Sequence, residues 1–341
     1  MNPLEARKLD HLRLCLEEDV STRHRTGFEA YTFMHDALPD LDLEAIDTRV
    51  TFLGRTFDAP LLISSMTGGP EMGRRINENL ARAAELRNIP FALGSQRIIR
   101  ERPETTASFA VKDVAPGVFL VGNVGAVQLN EGFTPADCQA LVDAVGADAL
   151  YLHLNPLQEA IQPGGDTRFR GLLPRIAEVC ANLSVPVWVK EVGNGLAPDV
   201  SARLLGAGVR ALDVAGNGGT SWARIEGLRS PEPLGRTLGD TFRDWGIPTA
   251  EAVRMNRAAH PEAPLVASGG LRTGIDLAKA IALGADLGGY ALPFLEAATD
   301  SVEAVVARID TLVQELRVSM FCLGCADLAA LRVTDRLVEV R

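Results

Sequence analysis

Eight short apolar runs, spaced along the chain and separated by amphipathic segments, restrict the fold more than any other feature of this sequence. They are PLLIS (60–64), FALG (91–94), VFLVGN (118–123), ALYLHL (149–154), PVWVK (186–190), VRALDV (209–214), PLVAS (264–268) and DLGGYA (286–291). Most are rich in Val, Leu and Ala. Runs of this kind are buried on both faces, as parallel strands are. Helix patterns lie between them. Over 73–88, Ile76, Leu80, Ala83 and Ala84 share a face. Thr134-Pro135 opens a helix over 134–147, and the helices at 197–208 and 274–285 end in glycine-containing turns. The phrases LVDAVGADALYL, LLGAGVRALDV and IALGADLGGYA repeat one helix–glycine–strand rhythm. Eight such βα units close a barrel. The expected fold is therefore α/β, a single (β/α)8 TIM barrel. A doubly wound sheet competes, but the count of eight and the even spacing favour the barrel. With 341 residues, 47% of them hydrophobic, the chain can fill such a core.

Two pieces fall outside the rhythm. Residues 1–59 form an N-terminal extension to a barrel spanning 60–341. The extension holds an early helix and the stretch TRVTFLGRTFDAP, which suggests a small hairpin. Between the sixth and seventh runs lies the Gly/Pro-rich stretch GNGGTSWARIEGLRSPEPLGRTLGD, expected as a long loop, followed by a helix near 248–260. Long loops in compact domains usually carry function. This one begins at a strand C-terminus, where barrels keep their chemistry.

Polar residues collect just after the runs. SSMTGG (64–69), GSQR (94–97), Asn123, HLNPLQE (153–159), Lys190-Glu191, GNGGTSW (216–222), SGGLRTG (268–274) and Ala291 would all open onto one face of a closed barrel. In SGGLRTGID two glycines precede a helix beginning near Thr273. Backbone N–H groups there, aided by the helix N-terminus, can cradle a phosphate, with Arg272 adding charge. Gly219 and Thr220 could supply further donors. Lys190 ends an apolar run, and an unpaired buried ammonium is costly. It suits a Schiff-base nucleophile or a positive charge beside a cofactor ring; the plainer reading is an ion pair with Glu191 or Asp213. His153, Asn155, Gln158 and Glu159 make a denser polar cluster than a turn requires, and a carboxylate there could hold Mg2+. Arg7 and His11 share a helix face, beside Lys8. Exposed helix charge is the plain reading of that face. Arg97, at a strand end, is harder to dismiss, and several cations converging on one pocket would suit a diphosphate.

The formal net charge of -10 gives no general attraction for nucleic acid or anionic membrane, so an anionic ligand needs such a local basic pocket. Five cysteines argue against a disulfide framework. Cys322 and Cys325 form a C-x-x-C pair without a second pair of ligands nearby, which points to helix packing rather than zinc. The charged N-terminus lacks an apolar leader region and no stretch is long enough to span a bilayer, so the expected location is cytoplasmic.

Taken together, RKLDHL, SSMTGG, GSQR, VGN, HLNPLQEAIQPGGD, KEVGNG, GNGGTSWARIE, SGGLRTGID, ALGAD and MFCLGC resemble the type 2 isopentenyl diphosphate isomerases over nearly the whole chain. HLNPLQE and GGTSW carry most of the likeness. The resemblance implies reversible conversion of isopentenyl to dimethylallyl diphosphate by proton transfer. It implies FMN, active when reduced and serving as acid and base through N5, together with Mg2+, and NAD(P)H as flavin reductant. Carried over, Ser65, Met66, Thr67, Ser95, Asn123, Lys190, Thr220, Gly269, Gly270, Arg272 and Ala291 would contact FMN. Arg7, Lys8, His11, Ser95, Arg97, Asn155 and Gln158 would contact substrate, and Glu159 would ligate Mg2+. Gln158, His153, Trp222 and Glu226 would serve the reacting end. A homo-oligomer, tetramer or octamer, is implied as well. Ala215, Asn217 and Tyr290 depart from the family pattern of Ser, Ala and Met.

Three other readings compete. An FMN-dependent α-hydroxy acid oxidase on the same barrel needs a His base near the flavin, and the chain has no His between 154 and 259. A nucleotide dehydrogenase wants a Cys after GNGG, where Thr220-Ser221-Trp222 stands. A non-catalytic flavin-binding barrel would not need Gln158, Glu159 or the Arg7-Lys8 pair.

Overall fold

The computed structural model describes residues 3–66 and 71–340. The N-terminal extension begins with a helix, Pro3–Glu17, and continues through β1 (Tyr31–Phe33) into the hairpin β2 (Val50–Phe52) and β3 (Arg55–Phe57). The hairpin turn places Leu53 and Gly54 at φ 49° and 81°, the two positive values that a two-residue turn between twisted strands demands.

The eight runs then form β4 (Leu61–Ile63), β5 (Phe91–Ala92), β6 (Leu120–Gly125), β7 (Ala149–His153), β8 (Val187–Lys190), β9 (Ala211–Asp213), β10 (Leu265–Ser268) and β11 (Leu287–Tyr290). They pair in parallel and close, β11 beside β4, as a complete barrel. Every expected strand is present, each within its sequence run or no more than two residues past it. Near the C-terminus β12 (Leu337–Glu339) returns to pair antiparallel with β1.

The expected helices appear at Glu71–Leu86, Pro135–Val145, Pro198–Gly206 and Gly274–Ala282. On the first, Ile76, Leu80, Ala83 and Ala84 are all buried against the barrel. The second is started by a capping box between Thr134 and Asp137 and stopped by Gly146 at φ 65°. The repeated Gly-Ala-Asp phrase has a structural meaning. Asp148 accepts the amide of Leu120 and Asp286 that of Leu265, both at 2.8 Å, so each strand's leading aspartate satisfies the first amide of its neighbour.

The hairpin closes the N-terminal end of the barrel. Phe52 meets Trp188 edge-to-face at 5.3 Å, and Trp188 meets Tyr151 at 5.4 Å. Strand periodicity does the rest: two residues beyond Tyr151 and Trp188, on the same face, come His153 and Lys190 at the open mouth. Aromatics seal the bottom, and polar side chains line the top.

The segment between β9 and β10 is long, as expected, but it is not an open loop. It forms helices Trp222–Arg229 and Pro233–Thr241 before the expected Thr249–Ala259. Its glycines permit close helix packing rather than turns. A Cβ on Gly227 would lie 2.8 Å from Gly239 Cα, and one on Gly239 would lie 2.7 Å from the Ala223 carbonyl oxygen. All five cysteines are free thiols; of the C-x-x-C pair, Cys325 is buried in the core, while Cys322 is half-buried at the C-cap of the helix Val302–Phe321. Among the described residues no helix is long and apolar enough to cross a membrane.

Candidate functional site

The C-terminal ends of the strands surround a cavity of about 260 Å³, roofed by the helix Pro3–Glu17. Nearly all of the residues singled out in the sequence line it: Arg7, Lys8, His11, Ser65, Met66, Ser95, Arg97, Asn123, His153, Asn155, Gln158, Glu159, Lys190, Thr220, Trp222, Gly269, Gly270, Arg272 and Ala291. Glu226 does not; its carboxylate is fully buried behind Gln158. Thr67 lies outside the described residues. Of the three departures from the family pattern only Ala215 reaches the cavity. Asn217 turns its amide to the Trp245 carbonyl, and Tyr290 donates its hydroxyl to the Thr273 carbonyl.

Two glycine loops form one wall. After β9 come Gly216 to Thr220, and after β10 come Gly269 and Gly270, with φ 101° and 81°. The loops press together closely enough that a Cβ on Gly269 would sit 2.1 Å from Gly216 O, and one on Gly270 would sit 2.3 Å from Gly218 O. Among the described residues the amides of Thr220, Gly270 and Leu271 have no protein acceptor. Such a cluster of free N–H groups is an anion cradle. The helix that follows contributes less than its sequence suggests. Its N-cap Thr273 and Asp276 form a capping box, Asp276 also takes the Arg272 amide, and Glu315 takes that of Gly274 at 2.5 Å. The free donors therefore precede the helix instead of belonging to its first turn.

On another side stand the cations. Lys8 donates to Ser95 O at 3.0 Å and lies over the Phe109 ring at 4.7 Å. Burial, reinforced by the charge of Arg7, pulls its pKa down to about 7. Burial also presses the Arg7 guanidinium below its usual range, against the pull of Glu226 and Glu159. Among the described residues the Arg7 guanidinium has no hydrogen-bond partner. Arg97 is held by Asp166 at 2.6 Å.

From β7 a chain of polar contacts crosses the cavity. Asn155 Nδ2 donates to Gln158 Oε1 at 3.0 Å and to Glu159 Oε1 at 2.9 Å, leaving its own Oδ1 buried and unpartnered. Gln158 Nε2 and His11 Nε2 both approach Glu226 Oε1 at 3.0 Å, while Arg229 donates to Oε2 at 2.6 Å. Burial works to raise the Glu226 pKa. The hydrogen bond and charge of His11, the hydrogen bond from Gln158 and the charge of Arg229 outweigh it and hold the carboxyl down to about 2. Burial keeps the pKa of the His11 ring below its ordinary value, against the hydrogen bond and charge of Glu226, which raise it. The same ring stands edge-on to Trp222 at 5.1 Å.

The floor is set by β6 to β9. His153 Nδ1 lies 2.8 Å from Asn123 Oδ1, and burial together with the charges of Lys190 and Arg7 pushes its pKa down to about 3. Lys190 donates to the backbone carbonyl of Glu191 at 2.8 Å and, among the described residues, forms no ion pair within 4.0 Å, so the plainer alternative, a pair with Glu191 or Asp213, is not what the structure has. Burial lowers its pKa, opposed by the charges of Asp213 and Glu191. The Asp213 carboxylate is taken up by Tyr151 and Ser268 hydroxyls and the Ala215 amide.

These residues fit the implied groups. A flavin phosphate matches the free amides beside Arg272, and the buried, unpartnered hydroxyl of Ser65 offers a further polar contact on the cavity wall. For Mg2+ the protein offers one carboxylate, Glu159, among neutral amides; among the described residues no group of three acidic, His or Cys side chains gathers. One carboxylate is how this ion is held when substrate phosphates complete its shell. Sequence reasoning overlooked Leu12 and Cys15, which line the cavity at i+4 and i+7 from Lys8; the helical spacing alone could have placed them. Gln128 and Gln162, also lining residues, carry no such signal.

The FMN-dependent dehydrogenase family profile matches residues 4–115 and 164–338. Two proteins named isopentenyl-diphosphate delta-isomerase are similar along their length. That of a Synechococcus sp. is 59% identical, covering 96% of this chain and 95% of the relative. That of a Nostoc sp. is 51% identical, covering 99% and 97%. Among solved structures, a mandelate oxidase variant with 4-Br-2-hydroxy-methylphenylacetate matches with a TM-score of 0.67 at 19% identity, covering 99% of this chain and 100% of that one. A monotopic membrane (S)-mandelate dehydrogenase matches with a TM-score of 0.69 at 17% identity, covering 98% of each chain. At those identities the likeness is one of fold.

Proposed function

Because the chain belongs to the FMN-dependent dehydrogenase family, and within it to the isopentenyl-diphosphate delta-isomerases, we propose that it interconverts isopentenyl and dimethylallyl diphosphate using reduced FMN and Mg2+, with NAD(P)H reducing the flavin. The observation that carries this reading is that Arg7, Lys8 and Arg97 open into the same cavity as the glycine-loop cradle. One cavity thus offers two separate anion sites, one for a flavin phosphate and one for a substrate diphosphate.

In this reading Arg7, Lys8 and Arg97 would bind the diphosphate, and Glu159 would hold Mg2+. Lys190 would contact the flavin. Gln158, fixed between Asn155 and Glu226, orients the five-carbon chain. His11 and Trp222, edge-on to each other, would cover the reacting end and exclude water from it. Reduced FMN, when bound, supplies the proton donor and acceptor, so no His–Glu catalytic pair is required. A hydroxy acid oxidase is a weaker fit, because Thr220, Trp222 and Arg272 stand at the β9 and β10 mouths where a His base would be needed.

Gln158→Asn tests the assignment. The shortened side chain should leave FMN binding unchanged and reduce isopentenyl diphosphate turnover at least roughly a hundredfold. Turnover equal to the parent would remove Gln158 from the reacting end.

A further inference from the structure

The polar chain across the cavity does not end at Glu159. The Asp166 amide donates to Glu159 Oε2 at 2.8 Å, and the Asp166 carboxylate accepts from Arg97 Nη1 at 2.6 Å and Gln128 Nε2 at 3.0 Å. Gln162 Nε2 joins Glu159 Oε2 at 3.2 Å. The turn that delivers Asp166 is tight: Gly164 has φ 69°, and a Cβ on Gly165 would lie 2.0 Å from the Glu159 carbonyl oxygen. One residue thereby grips, through its backbone, the carboxylate assigned to the cation and, through its side chain, a guanidinium assigned to the anion. Asp166 itself does not line the cavity, whereas Arg97, Gln128, Gln162 and Glu159 do.

We propose that Asp166 is a positioning residue for the diphosphate end of the site, fixing Arg97 relative to Glu159 so that one Mg2+–diphosphate unit meets both. This rests on the function proposed above. A guanidinium has five donors in a rigid fork, and Asp166 occupies one of them, leaving others for a ligand in the cavity. The ion pair is partly exposed, 28% at Arg97 and 20% at Asp166, so its value lies in orientation more than in stability.

The test uses full-length, FMN-loaded protein with inorganic pyrophosphate and Mg2+ as probe, alongside isopentenyl diphosphate kinetics. Asp166→Asn and Asp166→Ala should weaken Mg2+–pyrophosphate binding roughly tenfold and raise KM by a similar factor, with kcat within about twofold. FMN affinity and melting temperature should not move, which separates positioning from a fold defect. In an Arg97→Ala background, Asp166→Ala should add less than about twofold, because there is no guanidinium left to position. Full multiplication of the two losses, or tighter pyrophosphate binding by Asp166→Asn, would overturn the proposal, the latter by making Asp166 a competitor for Arg97. If the parent protein failed to bind Mg2+–pyrophosphate at all, the diphosphate reading would fall with it. Parent binding with unaltered Asp166 variants would remove this inference alone.

Discussion

Replacing Glu226 by Gln probes the most buried charge in the site. The carboxylate has no solvent exposure and takes hydrogen bonds from His11, Gln158 and Arg229. Gln would keep the shape but replace one acceptor oxygen by a donor, which must then face one of three donors. The fall of the Glu226 pKa from 4.5 to about 2 corresponds to about 3 kcal/mol of stability at neutral pH. Arg229 keeps a second ion pair, with Asp10 at 3.5 Å, so a net loss of about 2–3 kcal/mol is expected. The sign with pH follows from a depressed carboxyl pKa. The contribution is complete above the unfolded value of 4.5 and is lost as pH falls through about 2. Urea unfolding of flavin-free parent and Glu226→Gln should therefore differ by a constant amount from pH 6 to 8 and by roughly 1 kcal/mol less at pH 4. A variant as stable as the parent would refute the charged, donor-saturated Glu226.

Lys8, with a pKa near 7 through burial and Arg7, is largely neutral above that pH in the free protein and regains its proton beside a diphosphate. Calorimetry of Mg2+–pyrophosphate binding in two buffers should show uptake of about one proton at pH 8 and almost none at pH 6, and Lys8→Met should abolish the difference. Gly270→Ala, at φ 81° with its Cβ 2.3 Å from Gly218 O, should force the glycine loops apart and weaken FMN binding at least roughly tenfold, read by flavin fluorescence. His153, held near 3 by burial and the neighbouring charges, stays neutral through the working range. His153→Gln should therefore leave the parent's pH–rate profile between 6 and 8 without a lost inflection.

The barrel was legible because its signals are local. Eight runs such as PLLIS and PVWVK, each followed by polar residues, define strands and mouth together, and strand periodicity then sets Lys190 above Trp188. The β1–β12 pairing was not, since Tyr31–Phe33 and Leu337–Glu339 are each only three residues long and lie at opposite ends of the sequence. The helices at 222–241 were obscured because glycine marks a turn and a close helix crossing with the same letter, and only the Gly227–Gly239 contact tells them apart. Within the site, residue types with costly burial, such as Lys190 and Glu159, announced themselves. Glu226's second-row position and the hub at Asp166 depend on which side chains converge from distant loops, and no spacing in the chain records that.

The central claim is best tested by anaerobic turnover of isopentenyl diphosphate, scored as dimethylallyl diphosphate, with FMN and Mg2+ present and the flavin either oxidised or reduced. Product that forms only with reduced flavin and Mg2+, without consumption of reductant per turnover, is the predicted result. A protein that binds FMN yet forms no product in either state would contradict the assigned reaction.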